Sequence, residues 1–328
     1  MGRAPHEPSK HTPGRDEGQV PSQRGPEHEQ ETTYGARPHD AEPATPGRDG
    51  EGAPGSVHIG RGAHEPGQRL PALAAMVVLA AACVIGLVLT WMYASGIVRA
   101  YAWPAVLAFG LGAITYLVGF FIFRRIRPVR PPRLTVAVLA TVWGLLAATG
   151  VAAYSNTGMG GLWGQILGYE TAEAWTAALT APLNEELLKL AGVVVLAVAF
   201  PRALRGPVDG FILGALVGLG FEVTENFLYA LNSVTLSGAL APATSVSDST
   251  VVRVVLTGLG SHWAMTAIAG TAVGVLAAVD WRPGPRRALG ALGLVLLAML
   301  GHFFFDLPLL GEGLGGIAAI IRGLVQLV

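Results

Sequence analysis

The sequence has 328 residues, of which 52% are hydrophobic and only 13% charged, with a formal net charge of +0. This balance is typical of a protein with several membrane spans and not of a soluble enzyme, and it excludes the strongly basic face that nucleic-acid binding requires. Cys83 is the only cysteine, which excludes an intrachain disulfide and a CxxC metal site.

The N-terminal stretch differs in composition from the rest of the chain. Residues 1–69 are rich in Pro, Gly and charged residues and show no hydrophobic periodicity. Such a segment buries too little apolar surface to offset its loss of conformational entropy. The sequence therefore predicts a disordered tail at 1–69 and a transmembrane helical domain at 70–328, with no cleavable signal peptide before the first apolar run.

Apolar runs follow, each close to the roughly 20 residues that a helix needs to cross a bilayer. They predict an all-α, polytopic membrane bundle of about eight helices. The predicted helices lie at 71–92, 104–123, 134–154, 178–200, 209–230, 252–279, 288–310 and 314–328.

Arginines concentrate in alternate loops, at 124–133, 201–208 and 281–287, whereas 155–177 and 231–251 contain no basic residue. By the positive-inside rule, the arginine-rich loops face the cytoplasm. An even number of spans then places both the N-terminus and the C-terminus in the cytoplasm of a multi-pass cell-membrane protein.

Ionisable residues interrupt four of the predicted helices. Counted from the cytoplasmic ends at 1.5 Å per residue, they lie roughly 19–27 Å up, in one layer nearer the outer face. A charged residue at a helix centre costs roughly 2.5–3.5 kcal/mol on insertion scales. The pattern predicts a polar site inside the bundle, and the site region is 178–310.

The strongest motif is the pair Glu185 and Glu186 with Lys189, which share one helical face at spacings of three and four. Lys189 can neutralise one carboxylate and leave the other as a general base. The structural alternative is an ion-pair cluster that holds helices together.

The later helices carry three further polar groups. Glu222, Glu225 and Asn226 share a face of one helix, and hydrogen bonds to neighbouring helices are the structural alternative for them. His262 stands alone in an apolar helix, where a packing role is the alternative. His302 and Asp306, one turn apart, can bind one metal together, or Asp306 can orient the imidazole.

Together these residues resemble the parts of a site that activates water with a metal. Zinc hydrolases typically use three nitrogen or oxygen ligands, an open position and a separate glutamate base. No HExxH motif is present, so the residues alone leave the reaction open. The candidate metal ligands are His262, His302, Glu222, Glu225 and Asp306; the candidate catalytic residues are Glu185, Glu186 and Lys189; Asn226 is a further polar residue of the site.

The motifs N-E-E-L-L-K at 184–189, F-E-V-T-E-N at 221–226 and H-F-F-F-D at 302–306, with the helix around His262, resemble the PrsW family of intramembrane metalloproteases. The order matches that family's EExxK, FxxxE and HxxxD pattern. Lys189 and Glu225 distinguish the chain from the distantly related CAAX-protease and bacteriocin-processing enzymes, which usually have arginine and histidine there. The resemblance covers about 178–310.

The resemblance implies a membrane-embedded peptidase that cleaves membrane-anchored proteins, such as anti-sigma factors, on the extracytoplasmic side. It makes Glu185 or Glu186 the candidate base and gives Glu225, His302 and Asp306 motif positions, with His262 as a further ligand candidate. Glu222 is added from helix geometry alone. A divalent metal, with zinc as the first candidate, is the expected cofactor.

Three alternatives stay open at this point. A metal-free peptidase would keep an essential glutamate and resist chelators. A proton- or ion-coupled transporter also uses buried Asp, Glu and His, although no repeat relates the first four predicted helices to the last four, as transporters often show. A catalytically silent scaffold would tolerate Glu185→Ala.

Overall fold

The computed structural model describes residues 66–128 and 130–308, and within these ranges it contains helices and no strand. The helices are α1 (Pro66–Ala100), α2 (Ala102–Arg125), α3 (Leu134–Val142), α4 (Thr149–Leu167), α5 (Tyr169–Ala199), α6 (Pro207–Leu236), α7 (Pro242–Thr250), α8 (His262–Ala277) and α9 (Pro285–Phe305). The all-α prediction is confirmed. The predicted tail, except for its last four residues, and the predicted helix at 314–328 lie outside the described residues.

Among the described residues, six helical segments are long and apolar enough to cross a membrane. They are Arg69–Ala100, Ala102–Arg125, Leu134–Leu167, Pro207–Leu236, Gly258–Ala277 and Pro285–Phe305. Helix α5 is not among them, although it has 31 residues. It carries Glu185, Glu186 and Lys189, and all three are buried inside the bundle. The prediction of a multi-span membrane bundle is confirmed.

Helices α3 and α4 form one continuous helix through a π-helical segment, Trp143–Ala148. A π segment adds a residue to a turn and leaves carbonyl groups to be satisfied differently. Thr149 Oγ1 donates to the Gly144 carbonyl at 2.8 Å, and Thr224 Oγ1 on α6 donates to the Leu145 carbonyl at 2.9 Å. The irregular turn therefore binds α6 directly.

The single helix predicted at 252–279 is wrong, because the chain breaks there. After α7 a π-helical segment, Val251–Leu256, is followed by a short 3₁₀ turn, Gly258–Gly260, and α8 begins at His262. Ser261 is extended (φ −89°, ψ −163°), and its hydroxyl donates to a Glu222 carboxylate oxygen at 2.6 Å. His262 thus stands at a helix start and not within a helix.

Helices α6 and α8 pack with their backbones in close approach. A Cβ added to Gly214 would overlap the Thr266 carbonyl oxygen, and one added to Gly210 would overlap that of Gly270. Small residues at every fourth position are what allow membrane helices to approach so closely. This contact brings the glutamates of α6 beside the first turn of α8.

The arginine-rich loops lie at one end of the bundle. Arg127 Nη1 lies 2.5 Å from Asp209 Oδ1 at the start of α6, which joins the first two of these loops. The last turn of α8 also reaches that end, because Gly274 contacts Gly206. His262 lies at the other end of the 16-residue helix α8, about 24 Å away at 1.5 Å per residue.

Candidate metal and catalytic site

Glu186 lies at the centre of a buried hydrogen-bonded cluster. Its Oε1 lies 2.6 Å from Lys189 Nζ and 2.9 Å from His302 Nδ1, and its Oε2 accepts from Thr266 Oγ1 at 3.4 Å. Glu186 and Lys189 are fully buried. Both carboxylate oxygens are occupied, so in this structure Glu186 holds other side chains and has no oxygen free.

Glu185, the residue before Glu186 on α5, has one oxygen that accepts a hydrogen bond and one that accepts none. Its Oε1 accepts from Asn156 Nδ2 on α4 at 2.8 Å. Its Oε2 is buried and makes no hydrogen bond to any described residue. A buried carboxylate oxygen that accepts no hydrogen bond is costly, and the Lys189 ammonium, 3.7 Å away, lies beyond hydrogen-bond distance.

His302 presents one nitrogen to this free oxygen. Because its Nδ1 is held by Glu186, its Nε2 faces Glu185 Oε2 at 3.7 Å. The last turn of α9 also places Asp306 Oδ2 3.4 Å from the same Nε2. A carboxylate on one imidazole nitrogen fixes the tautomer and leaves the lone pair on the other.

His262 has the same arrangement with a different glutamate. Its Nε2 lies 2.6 Å from Glu225 Oε2 on α6, which directs Nδ1 toward Glu185 Oε2 at 3.8 Å. The two imidazole rings lie edge to face, with their centroids 4.9 Å apart. Both histidines therefore turn a ring nitrogen toward Oε2 of Glu185, at 3.8 Å from His262 and 3.7 Å from His302.

These three residues form the one group among the described residues that has the donors and spacing of a metal site. One ligand atom from each of Glu185, His262 and His302 lies within 4.8 Å of the others, and all three are buried. Two imidazole nitrogens and one carboxylate oxygen are the usual ligands of a catalytic zinc. Oε2 of Glu185, which accepts no hydrogen bond from a described residue, fits such an ion, because a bound cation would satisfy it.

Lys189 is the fourth charged group at this centre. Besides its ion pair with Glu186, its Nζ lies 3.1 Å from His262 Nδ1 and 3.7 Å from Glu185 Oε2, and 4.4 Å from the centre of the Phe221 ring. An ion held by His262 Nδ1 requires that Lys189 release this nitrogen and remain on Glu186.

Three predicted ligands, Glu222, Glu225 and Asp306, lie outside the three-residue group, and Asp306 contacts His302 from its own helix end. Glu222 accepts a hydrogen bond from Ser261 and so holds the break before α8. Glu225 Oε2 contacts the His262 ring at Nε2, the nitrogen that faces away from Glu185. Asn226, the further polar residue, accepts from Arg253 Nε at 2.5 Å, and its amide nitrogen has no partner among the described residues.

Sequence reasoning missed several residues that contact the site, among them Arg253 and Asn156. Arg253 forms an ion pair with Glu225, bonds Asn226 and lies 4.0 Å from the centre of the Tyr229 ring. The sequence did contain a signal for Arg253, because an arginine inside an apolar run on the predicted outer side is unusual. Asn156, which binds Glu185, had no such signal, because an isolated Asn in a helix is common.

Two cavities flank Glu185. One, of about 320 Å³, is lined by His262, His302 and Asp306 among others. The second, of about 240 Å³, extends between α1, α4 and α6 and is lined by Tyr93, Ala152 and Leu228 among others. Four residues line both, namely Asn156, Glu185, Glu225 and Tyr229. The Glu185 side chain therefore borders both spaces.

A family model described as PrsW family intramembrane metalloprotease matches residues 131–328. This range contains every residue of the group at Glu185 and excludes α1 and α2. Searches of curated proteins and of solved structures gave no significant match.

Proposed function

The chain belongs to the PrsW family of intramembrane metalloproteases, and on that premise we propose that Glu185, His262 and His302 hold the divalent metal of its active site. The observation that carries this proposal is the buried Oε2 of Glu185, which accepts no hydrogen bond from a described residue and which both histidines face at 3.7–3.8 Å. Zinc is the proposed ion, because two imidazoles, a carboxylate and an open position are its usual catalytic set. Such an ion polarises a carbonyl group and makes water a nucleophile at neutral pH.

The surrounding carboxylates take different roles in this proposal. Glu186 and Glu225 each accept a hydrogen bond from the far nitrogen of one histidine and so orient the ring and fix its tautomer. Lys189 neutralises Glu186. Glu185 thus changes from a candidate base to a ligand.

Asp306 is the proposed general base. Its carboxylate lines the same cavity as the three ligands and lies 3.4 Å from His302 Nε2. Its side chain is 19% exposed, whereas that of Glu186 is fully buried and has both oxygens occupied. In the proposed step, an Asp306 oxygen accepts a proton from the attacking water and afterwards returns it to the leaving amine nitrogen.

The two cavities support a polypeptide substrate. Peptide hydrolysis needs space for chain on both sides of the scissile bond, and the cavities meet at Glu185. A membrane-anchored protein is the proposed substrate class, and anti-sigma-factor-like regulators, suggested by the family resemblance, are the first candidates within it.

We also infer that cleavage occurs near the outer face. The positive-inside rule assigns the end with the arginine-rich loops to the cytoplasm, and His262 starts α8 about 24 Å from that end. Reporter fusions test this orientation: a fusion after Ser237 should report the outer side and one after Asp280 the cytoplasm. The reverse result would place the site near the cytoplasmic face.

The experiment for the central proposal is hydrolysis of a membrane peptide library by detergent-purified protein, read by mass spectrometry. The wild type should cleave, a chelator should abolish cleavage, and added Zn²⁺ should restore it. Cleavage that resists chelation but requires Glu185 would favour the metal-free peptidase instead.

A further inference from the structure

A third cavity, of about 330 Å³, lies at the opposite end of the bundle from the site, where the loop before α3 meets the loop before α6. Its rim carries Arg130, Arg133, Arg202 and Arg205. None of the residues assigned to peptide hydrolysis lines this cavity, so the proposed peptidase activity does not account for it.

The cavity carries an uncompensated positive charge. Asp209 is the one acidic residue among those that line it, and it is already neutralised: Arg127 Nη1 lies 2.5 Å away, and the Arg205 backbone N–H donates to its other oxygen at 3.1 Å. Within residues 66–128 and 130–308, none of the four rim arginines forms an ion pair with a carboxylate. Arg205 Nε donates to the Arg202 carbonyl at 3.2 Å. The other guanidinium N–H groups of the four arginines make no hydrogen bond to the described residues and can bind an anion.

The residues that line the cavity favour a phosphate group that is attached to an apolar group. Guanidinium groups match the geometry of phosphate oxygens through paired hydrogen bonds. Phe200 and the buried Val136 add apolar surface to the same cavity. Basic pockets at the ends of membrane helices are where anionic lipid headgroups bind.

We propose that the cavity formed by Arg130, Arg133, Arg202 and Arg205 binds a phosphate group, supplied by the headgroup of an anionic phospholipid. The general preference for arginine in cytoplasmic loops explains why basic residues lie in these loops. It does not predict that four of them line one cavity in which the acidic residue, Asp209, is already neutralised. The proposal is independent of the metal site.

The test uses the full-length protein in detergent and measures the shift of its thermal midpoint as ligand is added. The ligands are short-chain phosphatidylglycerol, short-chain phosphatidylcholine and inorganic phosphate. The cavity variant is Arg130→Gln/Arg133→Gln/Arg202→Gln. The matched control is Arg282→Gln/Arg286→Gln/Arg287→Gln, which removes the same charge from the third arginine-rich loop, whose arginines do not line the cavity.

Phosphatidylglycerol should raise the thermal midpoint of the wild type. The cavity variant should need at least about tenfold more lipid for the same shift, because each hydrogen bond to a charged group contributes about a factor of ten to the affinity. The control should behave like the wild type. Phosphatidylcholine should be weaker, and inorganic phosphate alone giving the full, cavity-dependent shift would assign the site to a free anion and overturn the lipid source. An equal loss of lipid affinity in both triple variants would show that the lipid responds to the overall positive charge of the loops. That result would overturn the proposed site. If the cavity variant does not fold, Arg133→Gln with Arg286→Gln as its control decides the same question.

Discussion

Glu225 on α6 holds the first residue of α8, since its Oε2 lies 2.6 Å from His262 Nε2. Helix α8 begins at that histidine because the chain is broken before it, and Glu222, one turn earlier on α6, holds the break through Ser261. Two carboxylates of one helix thus fix both the position and the tautomer of a proposed ligand on another. This relationship makes α6 the helix that organises the site, although no proposed ligand lies on it.

Glu225→Gln is expected to weaken metal binding by about 10–100-fold, the usual effect of removing a carboxylate behind a ligating histidine. The measurement is a competition titration of purified protein with a chelator of known affinity. Glu173→Gln is the control, because Glu173 lines the same cavity but is exposed. Equal affinities for wild type and Glu225→Gln would contradict the orienting role.

Arg253→Gln is expected to lower the free energy of unfolding by about 1–3 kcal/mol, because it leaves the carboxylate of Glu225 without its cation. Unfolding in mixed micelles measures the effect, and the exposed Arg99→Gln is the control. The double variant with Glu225→Gln should lose less than the sum of the two single losses. Strict additivity would show that the ion pair contributes nothing to stability.

Gly214→Ala is expected to destabilise the bundle by about 1–3 kcal/mol, as overpacking does, because the new Cβ would overlap the Thr266 carbonyl oxygen. Gly290→Ala on α9 is the matched control, since nothing lies within 4 Å of its Cβ position. There the gain in helix propensity should leave stability equal or higher. Identical thermal midpoints for the two variants would refute the close α6–α8 contact.

Asp306→Asn is expected to lower the cleavage rate by at least about 10²-fold while the bound metal is retained, because a general base contributes about 10²–10⁴. Cleavage of the same peptide library and metal analysis of the same sample measure the two effects. Asp248→Asn, at an exposed position of α7, should change neither. Loss of metal together with activity would make Asp306 a ligand and not the base.

Much of the fold could be predicted from the sequence because lipid requires long apolar helices. The break before His262 was missed, since 252–279 is apolar enough to suggest one span. The stretch Gly258–Leu259–Gly260–Ser261 did contain a signal, because Gly disfavours a helix interior and Ser is a preferred N-cap. The high hydrophobicity of the whole segment nevertheless led to the prediction of one continuous helix.

The sequence predicted which polar residues the fold brings together, but it did not predict how they contact one another. Buried ionisable residues in membrane helices are costly enough to mark a site, which identified Glu185, His262 and His302. The adjacent Glu185 and Glu186 look equivalent in sequence. Only the packing of α5 shows that Glu186 is hydrogen-bonded to Lys189 at 2.6 Å, whereas Glu185 has one oxygen that accepts no hydrogen bond.

The most direct test is the metal content of detergent-purified protein by elemental analysis, with the six tail histidines replaced by alanine to exclude stray binding. The wild type and Asp306→Asn should each contain about one zinc per chain, as one three-ligand site predicts, whereas Glu185→Gln and His302→Ala should contain almost none. If Glu185→Gln retains the metal of the wild type, or if the wild type purified with added zinc contains none, the proposed ligand set is wrong.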